Sequence, residues 1–235
     1  MQPQVKALAV CMFLGVTTAP AALAKQNPQE IVSRMNKASN EFKSMTAHVS
    51  YVTHTDVLNE DNTETGDVIM QKVQPGEVQV RIDFTAPDVK TVNVDMRRFR
   101  VYYPKIKTLQ IYDLANHGEQ FDQFVMIGFG TSGTELARDY EMKVLGTEPL
   151  KGQEGVPSIH LELLPKTGEA RQYVKKVELW IPEQGDPYPL REKITEPSGD
   201  YRLVTYSDLK INPPLKTDAL QLKLPPGVKT EYPGK

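Results

Sequence analysis

The stretch Glu77 to Phe84, EVQVRIDF, sets Val78, Val80, Ile82 and Phe84 on one side and Glu77, Gln79, Arg81 and Asp83 on the other. Side chains of a strand point alternately to its two faces, so this pattern predicts a β-strand with one face on a core and the other in water. Strands half buried in this way belong to antiparallel sheets, because parallel strands are covered on both faces and read as continuous apolar runs.

The same period extends outward in both directions. On the N-terminal side, AHVSYVTHTDV (47–57), a polar turn LNEDNTETG (58–66) and DVIMQKV (67–73) predict a hairpin. On the C-terminal side, KTVNVDM, RFRVYYP and KTLQIYDL follow at short spacing. After an interruption come YEMKVLG, SIHLELLP, YVKKVELWIP, YPLREKI, YRLVTYSDLKI and ALQLKLP. A helix is predicted before all of them, in NPQEIVSRMNKASNEFKSM, where Asn27 is the N-cap, Pro28 stands at N1 and Glu30 at N3. Ile31, Met35, Ala38 and Phe42 form its apolar stripe. A sheet of about eleven antiparallel strands is long enough to curl or close.

The interruption, 116–138, holds Phe121, Phe124, Val125, Met126, Ile127 and Phe129, followed by TSGTELARD, where Ser132 or Thr134 caps a short helix. Within it Gly128, Gly130 and Gly133 match the G-x-G-x-x-G spacing of a dinucleotide loop. That loop needs a buried parallel strand before it and a long helix after it. Neither is present, so the glycines are expected at hinges and caps where the backbone takes positive φ.

Composition narrows the function classes. The chain opens with Lys6, an apolar run from Ala7 to Val16 and Ala22-Leu23-Ala24, the pattern of a signal peptide (1–24) cleaved before a single domain, 25–235. The apolar run is shorter than the ~20 residues a membrane helix needs. The lone Cys11 lies inside it, after a bulky Val10, which argues against a lipid-attachment site. An exported mature chain would therefore have no disulfide and must rely on its core. The net charge of −2, from 28 basic and 30 acidic residues, offers no general attraction to nucleic acid.

Local motifs add no chemistry. Asp61 to Gly66, DNTETG, opens like a calcium loop but places Lys72 where a bidentate Glu is required. The four histidines have no zinc-ligand spacing. Ser132 lacks the glycine two residues on that a nucleophile elbow requires. No catalytic residue, metal or cofactor is expected, and the basic clusters 97–105 and 166–176 read as solvated faces.

In order and spacing, KSMTAHVSY, GDVIMQKVQPGEVQVRIDFTAPD, RRFRVYYPK, FVMIGFGTSGTELARDY, IHLELLPK, VELWI, SDLKIN and LQLKLPPGVK resemble the periplasmic lipoprotein carriers and their lipid-binding relatives, the LolA-like proteins. The resemblance covers nearly all of the expected mature chain. It implies an incomplete antiparallel barrel whose apolar cavity is covered by the N-terminal helix and a helical lid. It further implies a periplasmic carrier, without enzymatic activity, that takes lipoprotein acyl chains or lipid toward the outer membrane. An inner-membrane release complex and an outer-membrane receptor would be its partners. The regulatory relatives imply an alternative, a lipid-sensing or partner-binding envelope module.

On this reading Val80, Ile82, Phe84, Val92, Val94, Phe99 and Val101 form one cavity wall, and Leu161, Leu163, Leu179 and Trp180 stand across it. Phe124, Met126, Gly128, Phe129 and Gly130 belong to the lid. Where the lipoprotein carriers place a lid-holding arginine before a proline, this chain has Gln74 before Pro75, without the charge and fork of arginine.

Overall fold

A computed structural model of the chain describes residues 27–74, 77–95, 98–113, 127–150 and 153–233. The proposed signal peptide and the lid residues Phe124 and Met126 lie outside them.

Helix α1 spans Pro28–Glu41, and the Asn27 side chain accepts from the Gln29 amide as its N-cap. Its stripe is buried as the spacing requires, with Ile31, Met35, Ala38 and Phe42 all at most 5% exposed. Six strands follow: β1 (Ser44–Thr55), β2 (Glu60–Gln74), β3 (Glu77–Ala86), β4 (Lys90–Asp95), β5 (Arg98–Tyr103) and β6 (Thr108–Asp113). After the short helix α2 (Gly133–Asp139) come β7 (Tyr140–Leu150), β8 (Gln153–Pro165), β9 (Lys176–Pro182), β10 (Arg191–Thr195), β11 (Tyr201–Ile211) and β12 (Lys229–Glu231).

All twelve join one sheet in the order β12-β6-β5-β4-β3-β2-β1-β11-β10-β9-β8-β7. Its ends, β12 and β7, do not pair with each other, so the barrel is incomplete. Every pairing is antiparallel except that of β12 with β6, which is parallel.

Two segments depart from the reading of the sequence. The β1–β2 turn is confined to 56–59, with Asn59 at φ +49°, and the polar residues expected to form it continue the ladder through Thr53–Asn62, His54–Asp61 and Thr55–Glu60. Backbone pairing needs no apolar side chain, so a polar stretch can extend an exposed ribbon. The second departure is ALQLKLP, which is not a strand. It crosses the outer face as a strap, its carbonyls at Ala219 and Gln221 accepting from Arg81 and that at Leu220 from Asn93.

The core falls into two clusters along the concave side. In the first, Ala38 and Phe42 pack with residues of β1 to β5. In the second, Ile31 and Met35 pack with Leu161, Leu163, Val177, Leu179 and Ile181 of β8 and β9. One helix thus serves both halves of the sheet, and Asn212 ties its end to β11 by accepting from the Lys43 and Ser44 amides and donating to the Glu41 carbonyl.

Candidate functional site

The first cluster is incompletely filled. A cavity of about 260 Å³ lies against β1–β5, β10 and β11, just below the ~300–1,000 Å³ usual for small-molecule sites. Cross-strand rows build its wall. One runs Met45–Met70–Val80–Val94–Phe99 over β1 to β5, and the next runs Val68–Ile82–Val92 over β2 to β4. Residues directly opposite on one face lie side by side, so each row is a continuous apolar band.

The remaining rows grade from apolar to polar. Tyr206 and Val49 pair, as do Phe84 and Lys90, while Glu192, Val204, Tyr51 and Glu64 form a row across β10, β11, β1 and β2. Lys90 Nζ lies 2.7 Å from a Glu64 carboxylate oxygen, and Arg202 also borders the cavity. Glu192 is 5% exposed, and its Oε1 has no hydrogen-bond partner among the described residues. Burial pushes its carboxyl well above the ordinary range, which favours the neutral form in the folded protein. Burial also pushes up the Tyr206 hydroxyl.

Val80, Ile82, Phe84, Val92, Val94 and Phe99 therefore border the cavity. Val101 is buried in the same cluster without bordering it. Leu161, Leu163 and Leu179 stand elsewhere, fully buried beneath Ile31 and Met35, because α1 fills that half of the concave side. Trp180 faces the other side of the sheet from Leu179, as strand alternation demands of consecutive residues. Its ring stacks on His160 at 4.2 Å and its Nε1 donates to Glu148. Glu192, Tyr206, Tyr51 and Met70 border the cavity without having been singled out in the sequence. The alternation of MTAHVSY and of LVTY carried the signal for those on β1 and β11.

Of the lid residues within the described chain, Phe129 is buried in the first cluster and Ile127 in the second. Gly128 joins them at φ +86°, and Gly130 follows at φ +83°, both in the left-handed region where glycine carries no steric cost. These joints are crowded: a Cβ on Gly128 would stand 2.2 Å from Pro189 Cγ. Phe129 stacks on Tyr188 at 6.0 Å, and the Tyr188 hydroxyl donates to the Ala38 carbonyl. Gly133 begins α2 where a Cβ would come within 2.4 Å of the Val32 carbonyl oxygen, so the third glycine permits contact between helices. Asn36 of α1 accepts from the Thr134 amide and donates to its hydroxyl, and Ser132 and Glu135 complete a capping box. Gln74 donates to Glu77 across its own hairpin and is exposed.

Among the described residues no cluster of His, Cys, Asp or Glu has the makings of a metal site, and no helix is long and apolar enough to cross a membrane.

No family model matches the chain, and no curated protein matches it. Solved structures do. MucB superposes with a TM-score of 0.51 at 15% identity over 83% of this chain and 62% of its own, so the chain spans less than two thirds of MucB. An uncharacterized conserved protein from Thermus thermophilus superposes at 0.50, 15% identical over 88% of this chain and 99% of its own. A putative outer membrane lipoprotein-sorting protein domain from Vibrio parahaemolyticus gives 0.43 at 12% identity, over 83% of this chain and 97% of its own. The likeness is one of fold alone: an incomplete, mainly antiparallel barrel that carries helices on its concave side.

Proposed function

We propose that this protein is a periplasmic, non-enzymatic carrier that takes acyl chains of lipoproteins or lipids into the cavity beneath β1–β5 and transfers them toward the outer membrane. The observation that carries this reading is the cavity itself, two apolar cross-strand rows that border a space an ordinary core would fill. Burial of each methylene there stabilises the complex by about 0.8 kcal/mol. Displacing Phe129 costs roughly 1.5–3 kcal/mol of burial, and its ring contacts add about 1 kcal/mol. Four or five buried methylenes offset that cost, so a chain of ordinary length opens the lid and a short one does not.

Native mass spectrometry of protein purified from the periplasm tests the reading, together with extraction of an acylated lipoprotein from membrane vesicles. A heterogeneous mass excess of lipid size, lost on delipidation, is the expected result. A second reading is a regulatory module that binds a partner protein. It is favoured by the shared fold with MucB, a protein whose Pseudomonas aeruginosa form has been solved in complex with MucA. Clean protein that also extracts no lipoprotein would favour this second reading.

A further inference from the structure

Glu192 is out of place in a store for plain hydrocarbon. Its neighbours on β9 and β11 in the same register are Leu179 and Val204, and its partner two residues on, Ile194, also borders the cavity. A leucine or valine here would complete the apolar wall. Instead the wall holds a carboxyl, nine-tenths buried, whose Oε1 has no hydrogen-bond partner among the described residues. A polar atom left unsatisfied in an apolar surrounding destabilises the protein, and a ligand group that bonds it recovers that loss. A neutral carboxyl both donates and accepts. Its best complement is a group that does the same and carries no charge, because an anion beside it would itself have to be desolvated. A hydroxyl meets both conditions.

We propose that the cavity selects acyl chains bearing a hydroxyl group, which Glu192 binds from the cavity wall. The inference rests on the acyl-carrier reading and narrows it to a ligand class. Lys90 and Arg202, which also border the cavity, are the cations nearest to hand for an ester or headgroup oxygen at the other end of such a ligand.

The test is competition of methyl dodecanoate and its monohydroxylated isomers, with the hydroxyl moved from carbon 3 to carbon 12, against a fluorescent acyl probe on the delipidated full-length mature protein. At least one isomer should bind about tenfold tighter than the parent ester, the worth of satisfying one buried polar group. Glu192→Met should collapse that ratio to near one, and Glu192→Gln, which still donates and accepts, should keep most of it. Equal affinity for the parent and every isomer would overturn the hydroxyl assignment while leaving the carrier reading standing. A preference that survives in Glu192→Met would also overturn it. Failure of both the parent and the isomers to displace the probe, or of the probe to bind, would overturn the two readings together. The wild-type ratio decides the question even if Glu192→Met does not fold.

Discussion

The ring of Phe129 stands edge-on to the ring of Tyr206, with centroids 5.2 Å apart and planes at 74°. Phe129 belongs to the segment between β6 and α2, whereas Tyr206 lies on β11 and borders the cavity. This contact joins the segment before α2 to the cavity wall. Edge-to-face pairs add about 0.5–1.5 kcal/mol beyond burial, enough to bias the lid toward closure without locking it.

Phe129→Leu should therefore release a bound acyl probe several-fold faster than wild type, with a modest loss of stability. Phe129→Ala should lower stability by about 3–5 kcal/mol, the usual cost of emptying a buried aromatic site. Stopped-flow displacement and urea unfolding measure the two effects. Release at the wild-type rate from Phe129→Leu would remove this residue from the gate.

Gly128 and Gly227 allow backbone strain to be separated from crowding. Both take left-handed φ, +86° and +79°, but a Cβ on Gly227 meets nothing within 4 Å while one on Gly128 overlaps Pro189. Alanine at either position carries the left-handed cost of about 1–2 kcal/mol. At Gly128 overpacking should add at least ~1 kcal/mol. Equal losses in urea unfolding would mean that Pro189 moves aside freely.

Two buried carboxyls should give stability opposite slopes with pH. Glu178 accepts from His160 and pairs with Lys176, which hold its pKa down at about 2 against an ordinary 4.5. Its contribution is complete above the unfolded value and is lost as pH falls from 4.5 toward 2. Burial raises Glu192 instead, so its cost is absent below the unfolded value and grows as pH rises above it, where the unfolded chain ionises first. Glu192→Gln should then raise the urea midpoint at neutral pH and change it little in acid. Glu178→Gln should lower the midpoint at neutral pH and reduce the loss on acidification. A Glu192→Gln variant less stable than wild type at neutral pH would contradict the buried neutral carboxyl.

The outer strap depends on Asn93, 7% exposed, whose amide donates to Leu220 while its oxygen accepts from Arg100. Asn93→Leu removes both bonds and should cost about 1–3 kcal/mol. Hydrogen exchange should rise at the strap and at β12 ahead of the rest of the sheet. Unchanged protection of the strap would show that Arg81 holds it alone.

Much of the cavity wall was legible in the alternation of β3 and β4, where Val80, Ile82, Phe84, Val92 and Val94 recur at period two. The far wall was not. Leu161, Leu163 and Leu179 carry the same local pattern as Val80 and Ile82, and nothing in their own strands tells a filled half of the concave side from an empty one. Trp180 was legible as a strand residue and misplaced by one position, since alternation alone puts it opposite Leu179. Glu192 shares its strand face with Ile194 in REKI, but a polar residue there reads as a solvated position, and its apolar neighbours Leu179 and Val204 across β9 and β11 make it an interior group.

By itself, the sequence determined the helix with its cap and stripe, the succession of antiparallel strands and the break between them. Each of these depends on a period or a capping residue readable within a few positions. Only the tertiary structure decided where along the curled sheet α1 comes to rest. Ile31 and Met35 fill the side of β8 and β9, Phe42 and Phe129 pack into the cluster on the other side, and the remaining volume lies against β1–β5, β10 and β11. That division is a matter of side chains far apart in sequence competing for one concave surface, and no local pattern records it.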